Sequence, residues 1–240
     1  MPVDLMRHAA SPGHSPCIGH CTHDPDGLCL SCRRHDDEVK AWRDLDETAR
    51  LDVWARLPAA IDGLDRGIMR LPLDADDITA LAAETLTGGG CWMAGFEGCW
   101  VMADHHEGGL QASNAAGARI NLDFSGKVRA VAWANGKAGL AEGITGLPIL
   151  LVTPVARLTF PVHEAATRLD DGRLDQGLGL ASVRLLTEDD GGAVIETPLA
   201  RVDGLGAISP PQKPAATPPG LDLGKSYALG AILLPKGVSL

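Results

Sequence analysis

The chain has 240 residues, 45% of them apolar, so it can bury one sizeable core or a small module beside a larger domain. Its formal net charge is −10, from 31 acidic and 21 basic side chains, and it contains no long run of lysine or arginine that would neutralise phosphates. We therefore do not expect nucleic acid as a partner.

The first sixteen residues mix charged residues, histidines, prolines and glycine. They contain no apolar stretch like that of a signal peptide, and no later segment approaches a membrane-spanning length. We expect a cytoplasmic protein that does not associate with membranes. In that reducing compartment, close cysteines are more often metal ligands or catalytic groups than disulfides.

Four of the six cysteines form two close pairs. Cys17 and Cys21 have the spacing C-x3-C, seven residues follow, and Cys29 and Cys32 have the spacing C-x2-C. The loop between the pairs is long enough to bring four thiolates around one centre. Four thiolates complete a tetrahedral shell and leave no position for water or substrate. We therefore predict one metal centre, which is structural, or electron-carrying if it is iron–sulfur.

Other polar residues surround these cysteines. Four histidines lie in or beside the segment: His14, His20, His23 and His35. Each is an alternative ligand, but four cysteines already complete the shell, so we interpret them as loop residues. Arg33 and Arg34 follow the last cysteine, and their charge would partly offset the negative charge of a thiolate centre with zinc or with iron–sulfur.

Three helices are predicted after the cysteines. Asp36 or Asp37 caps the first, and Asp46 caps the second. A third spans Asp74 to Leu86 and stops at Gly88-Gly89-Gly90. The short segment of cysteines and helices has few apolar residues, so we expect metal to contribute much of its stability.

Beyond the glycines the pattern predicts β-structure. The alternating segments Ile120 to Phe124 and Val128 to Ala132 predict a first hairpin. The segments Val183 to Thr187 and Ala193 to Thr197 predict a second. Pro148 to Phe160 is an apolar run, which we interpret as a buried strand interrupted by a proline.

The fold class predicted from these elements is α+β. Residues 1–66 form a small metal-bound α-helical module, and residues 68–208 form a mainly β domain. Residues 209–220 are a proline-rich linker. The apolar C-terminal segment 221–240 either returns to the β domain, for which we favour an edge strand, or docks on a partner.

One family resembles the cysteine segment. The residues that carry the resemblance are Ser15-Pro16-Cys17-Ile18, Cys21, Asp24, Asp26-Gly27-Leu28-Cys29, Cys32-Arg33-Arg34, Glu38-Val39 and Trp42. Over residues 15–58 the chain is similar to a short bacterial family, domain of unknown function 1289, whose members are described as iron–sulfur proteins on the basis of their cysteines. The resemblance implies that the four cysteines here are cluster ligands. It leaves residues 68–240 unassigned.

Two further groups of residues are candidates for chemistry. Cys91 and Cys99 flank a plausible turn and would form a second metal or redox site if they faced each other, although small buried cysteines are the better interpretation. His105, His106 and His163 are the candidate acid–base residues of an enzyme site in the β domain. A charged loop explains them equally well.

We interpret the protein as a metal-binding accessory or interaction protein with a protein partner. The first alternative is an iron–sulfur electron carrier, and the second is an enzyme with its site in the β domain. Zinc and iron–sulfur are nearly equal candidates, with a slight preference for iron–sulfur that rests on the resemblance alone.

Overall fold

The computed structural model describes residues 14–19, 21–61, 67–106, 109–112, 115, 117–124, 127–134, 146–210, 215–218, 221, 223 and 225–240. Within these ranges, three helices in the N-terminal part precede or interleave with the first strands of two antiparallel sheets. The predicted α+β class, with mainly β-structure, is confirmed.

The helices are α1 (Asp36–Ala41), α2 (Glu47–Ile61) and α3 (Ala75–Thr87). One of the two predicted caps is confirmed, and Asp74 caps the third helix as well. The Asp46 carboxylate accepts a hydrogen bond from the Ala49 amide at 2.8 Å, and the Asp74 carboxylate accepts from the first-turn amides of α3 at 2.9 Å. These bonds satisfy amides that have no partner within the helix.

The start of α1 differs from the prediction. His35, rather than Asp36 or Asp37, occupies the N-cap position. Its backbone N–H donates to the Glu38 carboxylate at 2.8 Å, so one half of a capping box closes the turn. The two aspartates lie in the first turn instead, where their negative charge suits the helix dipole.

The larger sheet has seven strands in the order β1-β6-β7-β13-β2-β3-β4. Its strands are β1 (Gly67–Arg70), β2 (Cys91–Phe96), β3 (Cys99–His106), β4 (Gly109–Ala112), β6 (Arg129–Ala134), β7 (Ile149–Pro154) and β13 (Tyr227–Leu234). The smaller sheet has six strands in the order β5-β12-β11-β10-β9-β8. Its strands are β5 (Arg119–Leu122), β8 (Thr167–Arg168), β9 (Leu174–Asp175), β10 (Arg184–Thr187), β11 (Ala193–Glu196) and β12 (Ala200–Leu205).

One predicted hairpin is confirmed and the other is wrong. Strands β10 and β11 pair directly, with Leu185 opposite Ile195. The segments assigned to the first hairpin lie in different sheets, because β5 pairs with β12 whereas β6 pairs with β1 and β7. Val131 and its neighbours on β6 are buried on both faces of the strand, as an interior strand requires. Alternation predicted the strands correctly but did not determine their partners.

The C-terminal segment returns to the larger sheet, but as an interior strand and not at the edge. β13 lies between β7 and β2, and Ile232 is opposite both Leu150 and Met93. The described part of the proline-rich segment also contacts this sheet, since the Glu97 amide donates to the Ala215 carbonyl at 2.7 Å.

Two apolar clusters cover the two faces of the larger sheet. The main core contains residues from both sheets and from the helices, including Trp42 after α1 and Trp54 and Leu57 of α2. The second cluster lies on the other face, where Leu221 and Leu223 pack against residues of β6, β7 and β13. The helical segment and the sheets therefore share one core. Whether residues 68–208 fold alone stays a prediction.

Candidate metal centre

A tight turn holds Cys29 and Cys32. The Cys29 amide donates to the Arg34 carbonyl and the Arg33 amide donates to the Cys29 carbonyl, both at 2.8 Å. Arg33 has a φ of 54°, the left-handed conformation that closes such a turn at some cost for a residue with a side chain. Both cysteines are buried, with 0% and 4% of their surface exposed.

A second turn connects this pair to the preceding one. The Asp24 carboxylate accepts hydrogen bonds from the amides of Asp26 at 3.0 Å and Leu28 at 2.8 Å. Gly27 adopts a φ of 79°, which glycine reaches without strain. Isolated bridges join His23 to Cys29 and Leu28 to His35. Polar side chains and turns, rather than an apolar core, thus define this loop.

The segment that carries Cys17 is anchored to the larger sheet. The Ser226 hydroxyl donates to the Gly19 carbonyl at 2.6 Å, and the Tyr227 hydroxyl donates to the Cys17 carbonyl at 3.4 Å. A Cβ on Gly19 would lie 2.6 Å from the Ser226 Cβ, so only glycine fits there. One end of the sheet therefore positions the first cysteine pair.

The thiols influence one another. Burial, followed by the charges of Cys17 and Cys29, raises the pKa of Cys21 to about 11; Cys32 adds a smaller effect. Burial also raises the pKa of Cys29, but hydrogen bonds from Cys32 and from the Ser31 amide outweigh it, and the net pKa is lowered. The charges of the four thiols thus act on one another, and hydrogen bonds to Cys29 favour its thiolate form more than in an ordinary cysteine.

Arg34 contacts the cluster directly. Its Nε donates to the Cys32 sulfur at 3.4 Å, and its guanidinium lies 4.9 Å above the centre of the Trp42 ring. The residue is 1% exposed, and its Nη1 has no hydrogen-bond partner. Burial raises the pKa of Cys32, while the hydrogen bond from Arg34 acts in the opposite direction. A buried cation beside a sulfur favours the thiolate form.

Arg70 is a second buried cation near the cysteines. Its Nη1 donates to the Ser15 carbonyl at 2.8 Å, but its Nε has no partner. Burial, followed by the charge of Arg129, lowers the pKa of Arg70 to about 10, whereas Cys17 acts to raise it. A negative centre at the cysteines would thus stabilise this side chain.

The histidines occupy separate positions. His35 caps α1, and His23 Nε2 lies 3.9 Å from the Asp36 carboxylate. His14 is half-buried near Arg70, and its Nδ1 has no partner. His20 lies outside the described residues.

These features suit a thiolate-bound metal, although the site is not preformed. No group of three or more His, Cys, Asp or Glu side chains in the described part of the chain is arranged to hold a metal ion as it stands. The donors nevertheless fit such a group, because N–H donors point at sulfur: the Gly19 amide donates to Cys17 at 3.2 Å, and Arg34 donates to Cys32. The assignment of the four ligands stays a prediction.

The other two cysteines do not form a second site. In the β2–β3 hairpin, Cys91 is opposite Asp104 and Cys99 is opposite Phe96. Cys91 packs against the outer cluster and Cys99 against the main core, so they lie on opposite faces of the sheet. Burial raises the pKa of both thiols. Both are half-buried and pack against apolar clusters, so they act as small apolar residues, as the better interpretation expected.

The candidate enzyme residues belong to different elements of the fold. The backbones of His105 and His106 pair with Leu110 and Gly109 at the edge of the larger sheet, and their side chains lie outside the described part. The His163 carbonyl accepts from the Gly179 amide in a loop before β10. The enzyme alternative stays an untested prediction.

Sequence reasoning missed the part of the site that the sheet contributes. Arg70, Ser226 and Tyr227 contact the cysteine segment although they are far from it in the chain. Tyr227 is the sole tyrosine, but no local spacing connects it with Cys17. Such contacts follow from strand order, which the sequence pattern left open.

Among the described residues, no helix is long and apolar enough to cross a membrane.

Comparison with known proteins gives one match. No curated protein matches the chain, and no solved structure does. The resemblance seen in the sequence is confirmed for the cysteine segment and the two helices after it: residues 15–60 match the family described as "Protein of unknown function (DUF1289)", and the rest of the chain matches no family.

Proposed function

We propose that Cys17, Cys21, Cys29 and Cys32 bind one metal centre, and that the protein is a metal-binding accessory or interaction protein. The observation that carries this proposal is that N–H donors point at a sulfur in each cysteine pair, from Gly19 to Cys17 at 3.2 Å and from Arg34 to Cys32 at 3.4 Å. Without a cation, deprotonating four neighbouring thiols is costly. With one, the thiolates become its ligands.

Two buried arginines support the proposal. Four thiolates around zinc or around an oxidised cluster carry net negative charge. Arg34 donates to one of the sulfurs, and Arg70 lies near Cys17 with an unpartnered Nε. Both cations therefore oppose that charge where water is excluded.

The centre would hold together turns that bury little apolar surface, and an iron–sulfur cluster would in addition carry one electron. The electron carrier is the second candidate, and one observation favours it. Cys21 is exposed whereas Cys29 and Cys32 are buried. A centre held by all four would thus approach the surface on one side, where a redox partner could dock.

Anaerobic purification with elemental analysis and an absorption spectrum tests the proposal. We expect one centre per chain and, with the slight preference for iron–sulfur, a brown protein with broad thiolate-to-iron absorption. A colourless protein with stoichiometric zinc would support the structural role and reject the electron carrier. A protein without metal after anaerobic purification and supplementation would reject the metal centre.

Cysteine variants test the ligands. Serine at any of the four positions should reduce metal content, because the remaining three thiolates lose a ligand and their geometry. Cys99→Ser and Cys91→Ser are matched controls, since both lie in the β2–β3 hairpin, and they should retain full metal content. Metal loss in a control, or full content in all four ligand variants, contradicts the assignment.

A further inference from the structure

An open cavity of about 480 Å³ lies where β7 ends, beside the loop that leads into β12. Thr153 of β7 and Pro198 before β12 line it, so both sheets contribute to its wall. Its volume falls within the range of small-molecule sites. It does not include any of the six cysteines and is thus separate from the proposed metal centre.

The cavity has a positive lining. Lys127 and Arg157 line it, and no aspartate or glutamate is among the described residues that do. Both cations are exposed, and neither forms an ion pair within the described residues. In a chain of net charge −10, a cavity lined by two cations and no acid favours a negative ligand.

A buried hydroxyl also lines the cavity. Thr153 is 6% exposed, and its Oγ1 has no hydrogen-bond partner. Its backbone is fixed by pairing with Ala228 of β13. Buried polar atoms are nearly always satisfied, so an unpartnered hydroxyl at the wall of a cavity indicates a missing acceptor or donor.

Three apolar residues and Thr159 make up the rest of the wall. The ring of Phe160 lies 4.9 Å from the Arg184 guanidinium. Arg184 in turn donates a hydrogen bond to the Glu196 carboxylate at 2.5 Å. Leu158 and Pro198 complete this side. Apolar walls with a few convergent polar groups are typical of sites for small organic ligands.

Further positive charge lies nearby. Burial lowers the pKa of Arg129, and the charge of Arg157 lowers it further. Arg129 also forms no ion pair within the described part of the chain. Its Nη1 donates a hydrogen bond to the Val128 carbonyl at 3.0 Å. Arg129 is opposite Val152, which packs in the outer cluster, so it lies on the other face of the sheet from Thr153 and adds positive charge to this end of the sheet without lining the cavity.

We propose that this cavity binds a small anionic ligand that carries a phosphate or carboxylate group. The anionic oxygens lie between Lys127 and Arg157, the Thr153 hydroxyl donates to one of them, and any apolar part of the ligand packs against Phe160. Charge-assisted hydrogen bonds of this kind are stronger than neutral ones.

Calorimetric titration of the full chain tests the proposal. Inorganic phosphate and acetate are the two probes, with ionic strength held constant by sodium chloride, so they distinguish the two anion classes. We expect saturable one-site binding of at least one probe. Arg157→Gln and Thr153→Val should each weaken it about tenfold, because each removes a hydrogen bond to a charged group.

Arg168→Gln is the matched control, because Arg168 is an exposed arginine that pairs with Asp189 away from the cavity. It should bind the probe as the unchanged protein does. Absence of saturable binding of both probes overturns the proposal. So does equal binding in the Arg157 and Thr153 variants, or equal loss in the control, which would indicate a general effect of net charge. Thermal unfolding of each variant verifies that it is folded, and metal content is independent of all these outcomes.

Discussion

Arginines in the two sheets differ in whether they form ion pairs. In the smaller sheet, the Glu196 carboxylate forms ion pairs with three arginines. Its oxygens lie 2.5 Å from Arg184 Nη2 and 3.6 Å from Arg173 Nη1, and Arg201 is the third partner. A second carboxylate, that of Asp171, bonds Arg173 as well and has a lowered pKa for that reason. Arg173, Arg184 and Arg201 thus each have an anionic partner.

At one end of the larger sheet, Arg70 and Arg129 have no such partner in the part of the chain that the structure describes. Arg70 is 7% exposed, yet neither it nor Arg129 forms an ion pair within the described residues. Their mutual repulsion is one reason, after burial, why the pKa of Arg70 is lowered. Because a buried, unpaired charge is costly, the contrast indicates where negative groups are expected: the thiolate centre on one side and an anionic ligand on the other.

The contrast presupposes that the cysteine segment and the sheets fold as one unit, and Trp54 of α2 tests this with the largest effect. Its side chain is 1% exposed in the core shared with both sheets. Trp54→Ala should reduce the free energy of unfolding by about 3–5 kcal/mol. Denaturant unfolding followed by circular dichroism of the sheets measures it.

Leu51→Ala on the same helix is the control, because Leu51 is 38% exposed and the change should stay within about 0.5 kcal/mol. A single transition that shifts in Trp54→Ala supports one unit. Two separate transitions, or proteolysis that releases a folded fragment beginning near residue 68, would instead support the independent β domain predicted from the sequence.

Glu196 gives the next largest effect. Glu196→Gln keeps the shape of the side chain but leaves three arginines without their shared carboxylate. The group is largely buried, so we expect a loss of about 2–3 kcal/mol in the free energy of unfolding, between the values of surface and buried ion pairs.

Asp189→Asn serves as its control, since Asp189 and Arg168 form an exposed pair. That change should cost no more than about 0.5 kcal/mol. If both substitutions lower the free energy of unfolding equally, the ion pairs of Glu196 contribute no more than an exposed pair. The proposed difference between the two sheets would then be wrong.

Particular residues show what the sequence could predict. The C-x3-C and C-x2-C spacings identified the candidate ligands, and Asp46 and Asp74 identified two helix starts, because turns and caps depend on neighbours within a few residues. The β10–β11 hairpin was also local. These features need no knowledge of the rest of the chain.

The features that the sequence did not predict depend on long-range pairing. Ile120 and Val131 lie on strands of similar pattern that belong to different sheets, and Tyr227 begins an interior strand. Strand order decides which residues meet, and no local pattern encodes it. For the same reason Arg70 could not be placed beside the cysteines.

Arg70→Met should have a smaller effect on the free energy of unfolding. We expect its sign to be opposite to that of an arginine substitution in the smaller sheet. In metal-free protein, replacing a buried, unpaired cation by an apolar side chain of similar length should leave the free energy of unfolding unchanged or raise it by about 1 kcal/mol. Arg184→Met, which breaks a bonded pair, should lower it. Equal losses in both variants would show that Arg70 has a partner.

The smallest expected effect is the pH dependence of stability that arises from His14. It depends on the same cations, because the charges of Arg70 and Arg129 act on the pKa of this imidazole. Burial, followed by the charges of Arg70 and Arg129, lowers the pKa of His14 below 6.5, while Asp74 acts to raise it. The unfolded chain then binds a proton more readily than the folded protein does. Stability should therefore fall as the pH decreases below about 6.5. NMR titration of the imidazole should give a higher pKa in Arg70→Met and a lower one in Asp74→Asn, which retains a capping side chain. An unchanged pKa in Arg70→Met would mean that burial alone sets the value, and that the unpaired cations at this end of the sheet do not act on His14.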